Sequence, residues 1–325
     1  MPGDALKQLR CVQPKTRWRW RRLILPALLA GGLALLPLAL AAAAPPGAKM
    51  LVAATIVPLG DFCAKIGGDL VQVQVLIPPG ASPHAFEPPP SVMAKASRAR
   101  VFVYNGAGLE PWAAKLLSSR DAGKVTVVEA TRGMPLIREV EGHRHGQAER
   151  EEHAHGPGNP HIWLDPVLAQ DICRKIAAAF IQADPGHREQ YEAGLQSYLA
   201  ALTDLDRDIG RQAQAWRLRS FVSFHPSFTY FARRYHLKEV GTIEVAPGRE
   251  PGPRHLQKLV AAVRRAGIQV VFAEPQFSPR VAEVIAQEAG VLVLTLDPVG
   301  GRPPYGNDYL QLMRANLAVL DQALQ

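Results

Sequence analysis

Eight short runs rich in Val and Ile, four on either side of one long helical pattern, constrain this chain more than any other feature of its sequence. The first four are KMLVAATIVP, VQVQVLIPP, ARVFVYNG and KVTVVEA; the last four are RSFVSFHP, KEVGTIEVAP, IQVVFAEP and GVLVLTLDP. Most end in Pro or Gly, and helical patterns separate them, as in a sheet whose strands are joined by crossover helices. The expected fold class is therefore α/β: two domains, each with a parallel four-stranded sheet and flanking helices, joined by one long interdomain helix.

That helix is read from DPGHREQYEAGLQSYLAALTDLDRDIGRQAQAW, where Tyr191, Leu195, Tyr198, Leu199, Leu202, Leu205 and Ile209 recur at steps of three and four. Asp184 followed by Pro185 suggests a cap and a first-turn proline. A helix of roughly 28 residues would be about 42 Å long, enough to lie along two domains. Two shorter helices kinked near Gly210 are the alternative. The expected division is a leader over 1–44, an N-terminal α/β domain over 45–184, the linking helix over 185–215 and a C-terminal α/β domain over 216–325.

The leader reading rests on RWRWRRLILPALLAGGLALLPLALAAAAPPGA, where arginines precede an apolar run and small residues and prolines follow it. This order fits a cleaved secretory signal, with an uncleaved membrane anchor as the competing reading. The destination would be the periplasm. Residues 1–44 carry seven Lys/Arg and one acid, so the formal +8 of the whole chain falls to about +2 without them. A partner such as nucleic acid, which the high pI suggests at first sight, is thus not expected. Cys11 lies in the leader. Cys63 and Cys173 would sit in an oxidising compartment, either joined or buried separately.

Five of the ten histidines fall within the nineteen residues from His143 to His161. The segment 138–159 is polar, charged and aperiodic, as expected of a surface loop, with its His-rich part at 142–156. His161, in NPHIWLDP, stands in a different context, shared by three other residues. His84 in VQVQVLIPPGASPHAFEP, His225 in FVSFHPSFTYF and Asp297 in VLVLTLDPVGG each follow an apolar run, where the carboxyl ends of strands line a ligand crevice. Imidazole nitrogen and carboxylate oxygen are the ligands that suit a tetrahedral Zn(II) site. One such site would need both domains, with the metal in the cleft between them.

Taken together, PPGASPHAFEPPPSVMAKASRARVFVYNGAGLEPW, NPHIWLDP, FHPSFTYFARRYHL, VFAEPQFSP and LTLDPVGG give the chain a family resemblance. From Lys49 to Gln325 it resembles the periplasmic zinc-binding components of metal ABC transporters, which are solute-binding proteins of zinc and manganese uptake. The resemblance implies that His84, His161, His225 and Asp297 are the metal ligands. A histidine as third ligand, where many manganese-type members carry glutamate, points to zinc, as does nitrogen-rich ligation in general. His143, His145, His153 and His155, in a loop typical of zinc-type members, are at most auxiliary ligands and otherwise idle solvated side chains. Some zinc receptors carry a cysteine pair in the second domain, and this chain has none there.

The function implied is capture of Zn(II) and its delivery to the membrane permease of an ABC transporter, by a monomer that is not an enzyme. A manganese-type receptor or an adhesin of the same family is the nearer alternative. A zinc-dependent hydrolase is the more distant one; it needs an open coordination position and a general base, and no H-E-x-x-H occurs in the chain. Glu274, beside one of the motifs, is a candidate to orient a ligating histidine. Glu87 reads as a surface residue, as do His187 and His255, and His236 as the end of a helix.

Overall fold

All eight Val/Ile runs form strands: β1 (Met50–Ala54), β2 (Val71–Val75), β3 (Val101–Tyr104), β4 (Thr126–Glu129), β5 (Ser220–Ser223), β6 (Lys238–Thr242), β7 (Val270–Ala273) and β8 (Leu292–Thr295). The structure is a computed structural model and describes residues 48–117, 125–138, 158–244 and 251–325. The expected leader and His143, His145, His153 and His155 lie outside the described residues. Among the described residues no helix is long and apolar enough to cross a membrane.

The strands make two wholly parallel sheets, ordered β2-β1-β3-β4 and β6-β5-β7-β8. In each, the chain steps outward from the first strand to the second and returns to the other side for the third. The order therefore reverses beside β1 and β5, where crevices open beyond the carboxyl ends of the strands. The helices are α1 (Val57–Gly67), α2 (Pro90–Ala96), α3 (Ala113–Leu117), α4 (Pro166–Ala183), α5 (Arg188–Ala215), α6 (Thr229–Arg234), α7 (Pro253–Arg265), α8 (Arg280–Ala289) and α9 (Tyr309–Leu324).

Helix α5 is the long helix of the sequence pattern, 28 residues without a break at Gly210. Its stripe of Tyr191, Tyr198, Leu202, Leu205 and Ile209 is buried, with Leu195 and Leu199 packed at the edge of the core. At Gly194 the helix passes so close to α1 that a Cβ would stand 2.4 Å from the Ile66 carbonyl oxygen. The start differs from the sequence reading. Asp184 and Pro185 lead into a separate 3₁₀ turn, Pro185–His187, and the Asp184 carboxylate accepts from the Tyr191 hydroxyl at 2.9 Å and lies 2.7 Å from His187 Nδ1. It therefore tethers the first turn of α5 from the side. His255, expected at the surface, is half-buried, with Nε2 2.9 Å from the Thr242 carbonyl oxygen.

One apolar core runs from the first sheet, through Val52, Phe102 and Phe62, along α4 and α5, to Phe221, Phe231, Phe272 and Met313 of the second half. A smaller cluster, including Val222, Ile243, Leu259, Val263 and Ile285, fills the other side of the second sheet. Because the larger core is continuous, moving the halves far apart would expose close-packed apolar surface.

Candidate metal centre

Three histidines from distant parts of the chain meet at one point. His84 follows β2, His225 follows β5, and His161 stands just ahead of a 3₁₀ turn, Ile162–Leu164, that leads into α4. Among the described residues these three form the group whose metal-capable atoms converge, all within 4.8 Å of one another. His161 Nε2 is 3.1 Å from Nε2 of His84 and 3.1 Å from Nε2 of His225. Nitrogens bound to one tetrahedral Zn(II) at about 2.0–2.1 Å would stand roughly 3.3 Å apart, so the spacing fits a shared ion. With Trp163, Glu274, Gln276 and Pro298 they line a cavity of about 10 Å³, room for one ion or water-sized sphere.

The outer ring nitrogens show how the rings are aimed. Asn159 Oδ1 lies 2.9 Å from His161 Nδ1 and accepts from the His161 backbone N–H at 3.0 Å. Glu274 Oε1 lies 2.8 Å from His225 Nδ1 and accepts from the Ser227 hydroxyl at 3.0 Å. Asn159 Oδ1 can only accept, which places the ring proton of His161 on Nδ1 and turns the lone pair of its Nε2 inward; at His225 the charge of the Glu274 carboxylate, close to Nδ1 though not aligned as a hydrogen bond, favours the same tautomer. Glu274 is where the sequence suggested an orienting carboxylate, and it is 3% exposed; Glu87 is exposed. Asn159 was not singled out from the sequence. Its only local signal is its place two residues before a histidine.

Burial, reinforced by the neighbouring charge of His225, pushes His84 down to about 3. Burial with the charges of His225 and His84 holds His161 well below the usual imidazole range. For His225 burial acts downward too, but the Glu274 carboxylate, aided by Glu244 and Glu239, outweighs it and raises the group. Two neutral rings and a third backed by a carboxylate make a donor set suited to a divalent cation. Among the described residues, two oxygens in the cavity wall, Glu274 Oε2 and Gln276 Oε1, are buried with no hydrogen-bond partner. Acceptors left this way fit a positively charged occupant.

Asp297 stands apart from the three histidines. It is 2% exposed and follows β8 one residue behind the cavity wall, which Pro298 and Val299 help to form. Its Oδ1 accepts from Gln276 Nε2 at 2.9 Å, Val299 N at 3.0 Å and Gly300 N at 2.9 Å. Oδ2 takes the Tyr305 hydroxyl at 2.5 Å. The Asp297 turn touches the His84 loop, because the Arg302 guanidinium lies over Gly80, where a Cβ would come within 1.8 Å of it and φ is +84°. Trp163 Nε1 donates to the Pro298 carbonyl at 2.7 Å, and the Tyr309 hydroxyl to the Trp163 carbonyl at 2.6 Å.

Comparison with known proteins places the chain in a family. The family model for the zinc-uptake complex component A periplasmic, ZnuA, matches residues 52–323. The high-affinity zinc uptake system protein ZnuA of Bacillus subtilis is 33% identical over 283 residues, covering 86% of this chain and 88% of that protein. The zinc-binding lipoprotein AdcA of Streptococcus pneumoniae (strain R6) is 32% identical over 282 residues, 84% of this chain but only 56% of that longer protein. Among solved structures, a zinc-bound deletion mutant of ZnuA superposes with a TM-score of 0.74 at 34% identity, covering 86% of this chain and 99% of that one. With the family model spanning both sheets and all three converging histidines, the chain belongs to the ZnuA family of zinc-uptake solute-binding proteins.

Proposed function

We propose that this protein captures Zn(II) at His84, His161 and His225, with Asp297 as fourth ligand, and delivers it to the permease of an ABC transporter for high-affinity zinc uptake. The observation that carries this reading is the convergence of three Nε2 atoms on a cavity the size of one ion. Nitrogen-rich ligation favours zinc over the harder manganese ion. Four protein ligands close a tetrahedral shell, which suits carriage and leaves no position for a reacting water. Asp297 would join by sharing or giving up the hydrogen bond from Tyr305, since Oδ1 is already surrounded by N–H groups.

The same reading gives the chain a cleaved leader over 1–44, a periplasmic location and a monomeric state. It divides the rest into an N-terminal domain (45–184), a linking helix (185–215) and a C-terminal domain (216–325), with no nucleic-acid partner. His143, His145, His153 and His155 are auxiliary at most. Calorimetric zinc titration of the protein, of His225→Ala and of a deletion of residues 142–156, with manganese as competitor, tests it. One tight zinc site, destroyed by His225→Ala and spared by the deletion, is the expected result. Tight binding that survives loss of His225 would end the reading.

A further inference from the structure

Asn159 holds its neighbours in both halves of the molecule with one carboxamide. It is 4% exposed, and its Oδ1 serves the backbone N–H and Nδ1 of His161. Its Nδ2 donates to the Pro226 carbonyl at 2.6 Å and lies 3.3 Å from the Thr229 hydroxyl oxygen. Which end is oxygen and which nitrogen follows from the partners: a backbone N–H can only donate and a proline carbonyl can only accept. Pro226 is the residue directly after His225. The backbone of Asn159 is anchored as well, its carbonyl accepting from the Tyr230 hydroxyl at 2.8 Å and its N–H donating to the Ile137 carbonyl at 2.8 Å.

These contacts have a joint consequence. The carboxamide is planar and rigid, so its oxygen and nitrogen move together. If the Pro226 carbonyl shifts, the amide turns with it, and the acceptor that keeps the proton on His161 Nδ1 moves away. The ring of His161 would then be free to rotate or change tautomer, and its Nε2 lone pair would no longer be held toward His84 and His225.

We infer that Asn159 is a positioning residue that makes the seating of His161 depend on the position of the segment carrying His225, and that it thereby sets the rate of zinc release. The inference rests on the zinc-binding reading above. It requires only a small displacement at Pro226, which the continuous core permits where a wide opening of the halves would disrupt it.

Two variants separate the two jobs of the side chain. Asn159→Asp keeps an oxygen for His161 Nδ1 but puts a second oxygen against the Pro226 carbonyl, which breaks the clasp. The added negative charge by itself would hold zinc more tightly, so faster release from this variant reports the loss of the contact with Pro226. Asn159→Ala removes both contacts. Zinc release is followed by stopped flow into excess chelator, and the visible spectrum of the Co(II)-loaded protein reports the coordination geometry. Thermal unfolding checks that each variant folds.

The expected result is a wild-type cobalt spectrum and release faster by on the order of tenfold for Asn159→Asp, the equivalent of one hydrogen bond. For Asn159→Ala faster release and an altered spectrum are expected; this variant decides the matter should the aspartate protein not fold. Release from Asn159→Asp at or below the wild-type rate overturns the inference, as does an alanine variant that matches wild type in both spectrum and rate. A wild-type protein without a tight zinc site would sink the zinc reading itself, and this inference with it, before any variant is compared.

Discussion

The Tyr305 hydroxyl lies 2.5 Å from Asp297 Oδ2, on the one carboxylate oxygen that three N–H groups do not already surround. A metal drawing on Asp297 must therefore share this oxygen with the phenol or displace it. Burial and the bond to Asp297 raise the Tyr305 hydroxyl above its ordinary range, so it stays protonated and keeps donating at neutral pH. If Asp297 is the fourth ligand, Tyr305→Phe removes a competitor, and zinc should bind more tightly by roughly tenfold, the scale of a hydrogen bond to a charged group. Asp297→Ala should weaken binding, and Tyr305→Phe should have no further effect in that background. Competition titration against a chelator reads all three. Unchanged affinity in Asp297→Ala would leave the three histidines as the whole protein ligand set.

Glu274 is buried with Oε1 2.8 Å from His225 Nδ1. Its charge makes the imidazole a stronger donor and fixes the nitrogen that faces the cavity. Glu274→Gln keeps the shape of the side chain and removes the charge. Zinc affinity should fall by roughly 10–100-fold, the usual cost of losing such an orienting partner. An affinity equal to wild type in the same competition titration would show that His225 is aimed by packing alone, for example by Phe277, whose ring centroid stands 5.9 Å from its own.

The two sheets and the long helix were legible in the sequence because their signals are local. Buried parallel strands read as unbroken β-branched runs, and α5 shows its stripe at steps of three and four. His84 and His225 were legible because each follows such a run at a strand's carboxyl end. What could not be read was pairing across distance. The Asn159 amide finds Pro226 67 residues further along the chain, and nothing near either residue marks the other. Asp184 looked like a helix cap because Asp-Pro usually is one; the extra 3₁₀ turn moved it to the side of α5. The cap with that spelling is Asp165, ahead of Pro166, which accepts from Val167 N at 2.8 Å and begins α4.

Cys63 in α1 and Cys173 in α4 are free thiols, both fully buried. The sequence left open whether they join. Burial raises both thiols well above their ordinary range, which suppresses the thiolate needed for exchange or oxidation. The native protein should therefore leave both cysteines unlabelled by a thiol reagent, and unfolding should expose both. Its thermal midpoint should be the same with and without a reductant. A midpoint that drops on reduction would mean that the two cysteines are bonded in the folded protein.

Arg234 of α6 grips Asp206 of α5 with two bonds of 2.6 Å, and the Tyr235 hydroxyl adds a third at 2.9 Å. The same guanidinium stands 3.5 Å from Asp165, so one side chain ties the second half to both α5 and the cap of α4. Burial alone would raise Asp206, but the bonds from Arg234 and Tyr235 and the charge of Arg234 outweigh it and lower the group. A carboxylate lowered by folding contributes stability above its unfolded value, about 3.9, and loses that contribution as pH falls through the folded value. Asp206→Asn should therefore destabilise the protein at pH 7 by about 1–2 kcal/mol, a figure reduced for the pair's partial exposure. The gap between variant and wild type should narrow as the pH falls below about 4. Urea unfolding at neutral and acid pH measures it, and a gap that stays constant across that range would show that Asp206 contributes packing and neutral hydrogen bonds but no charge.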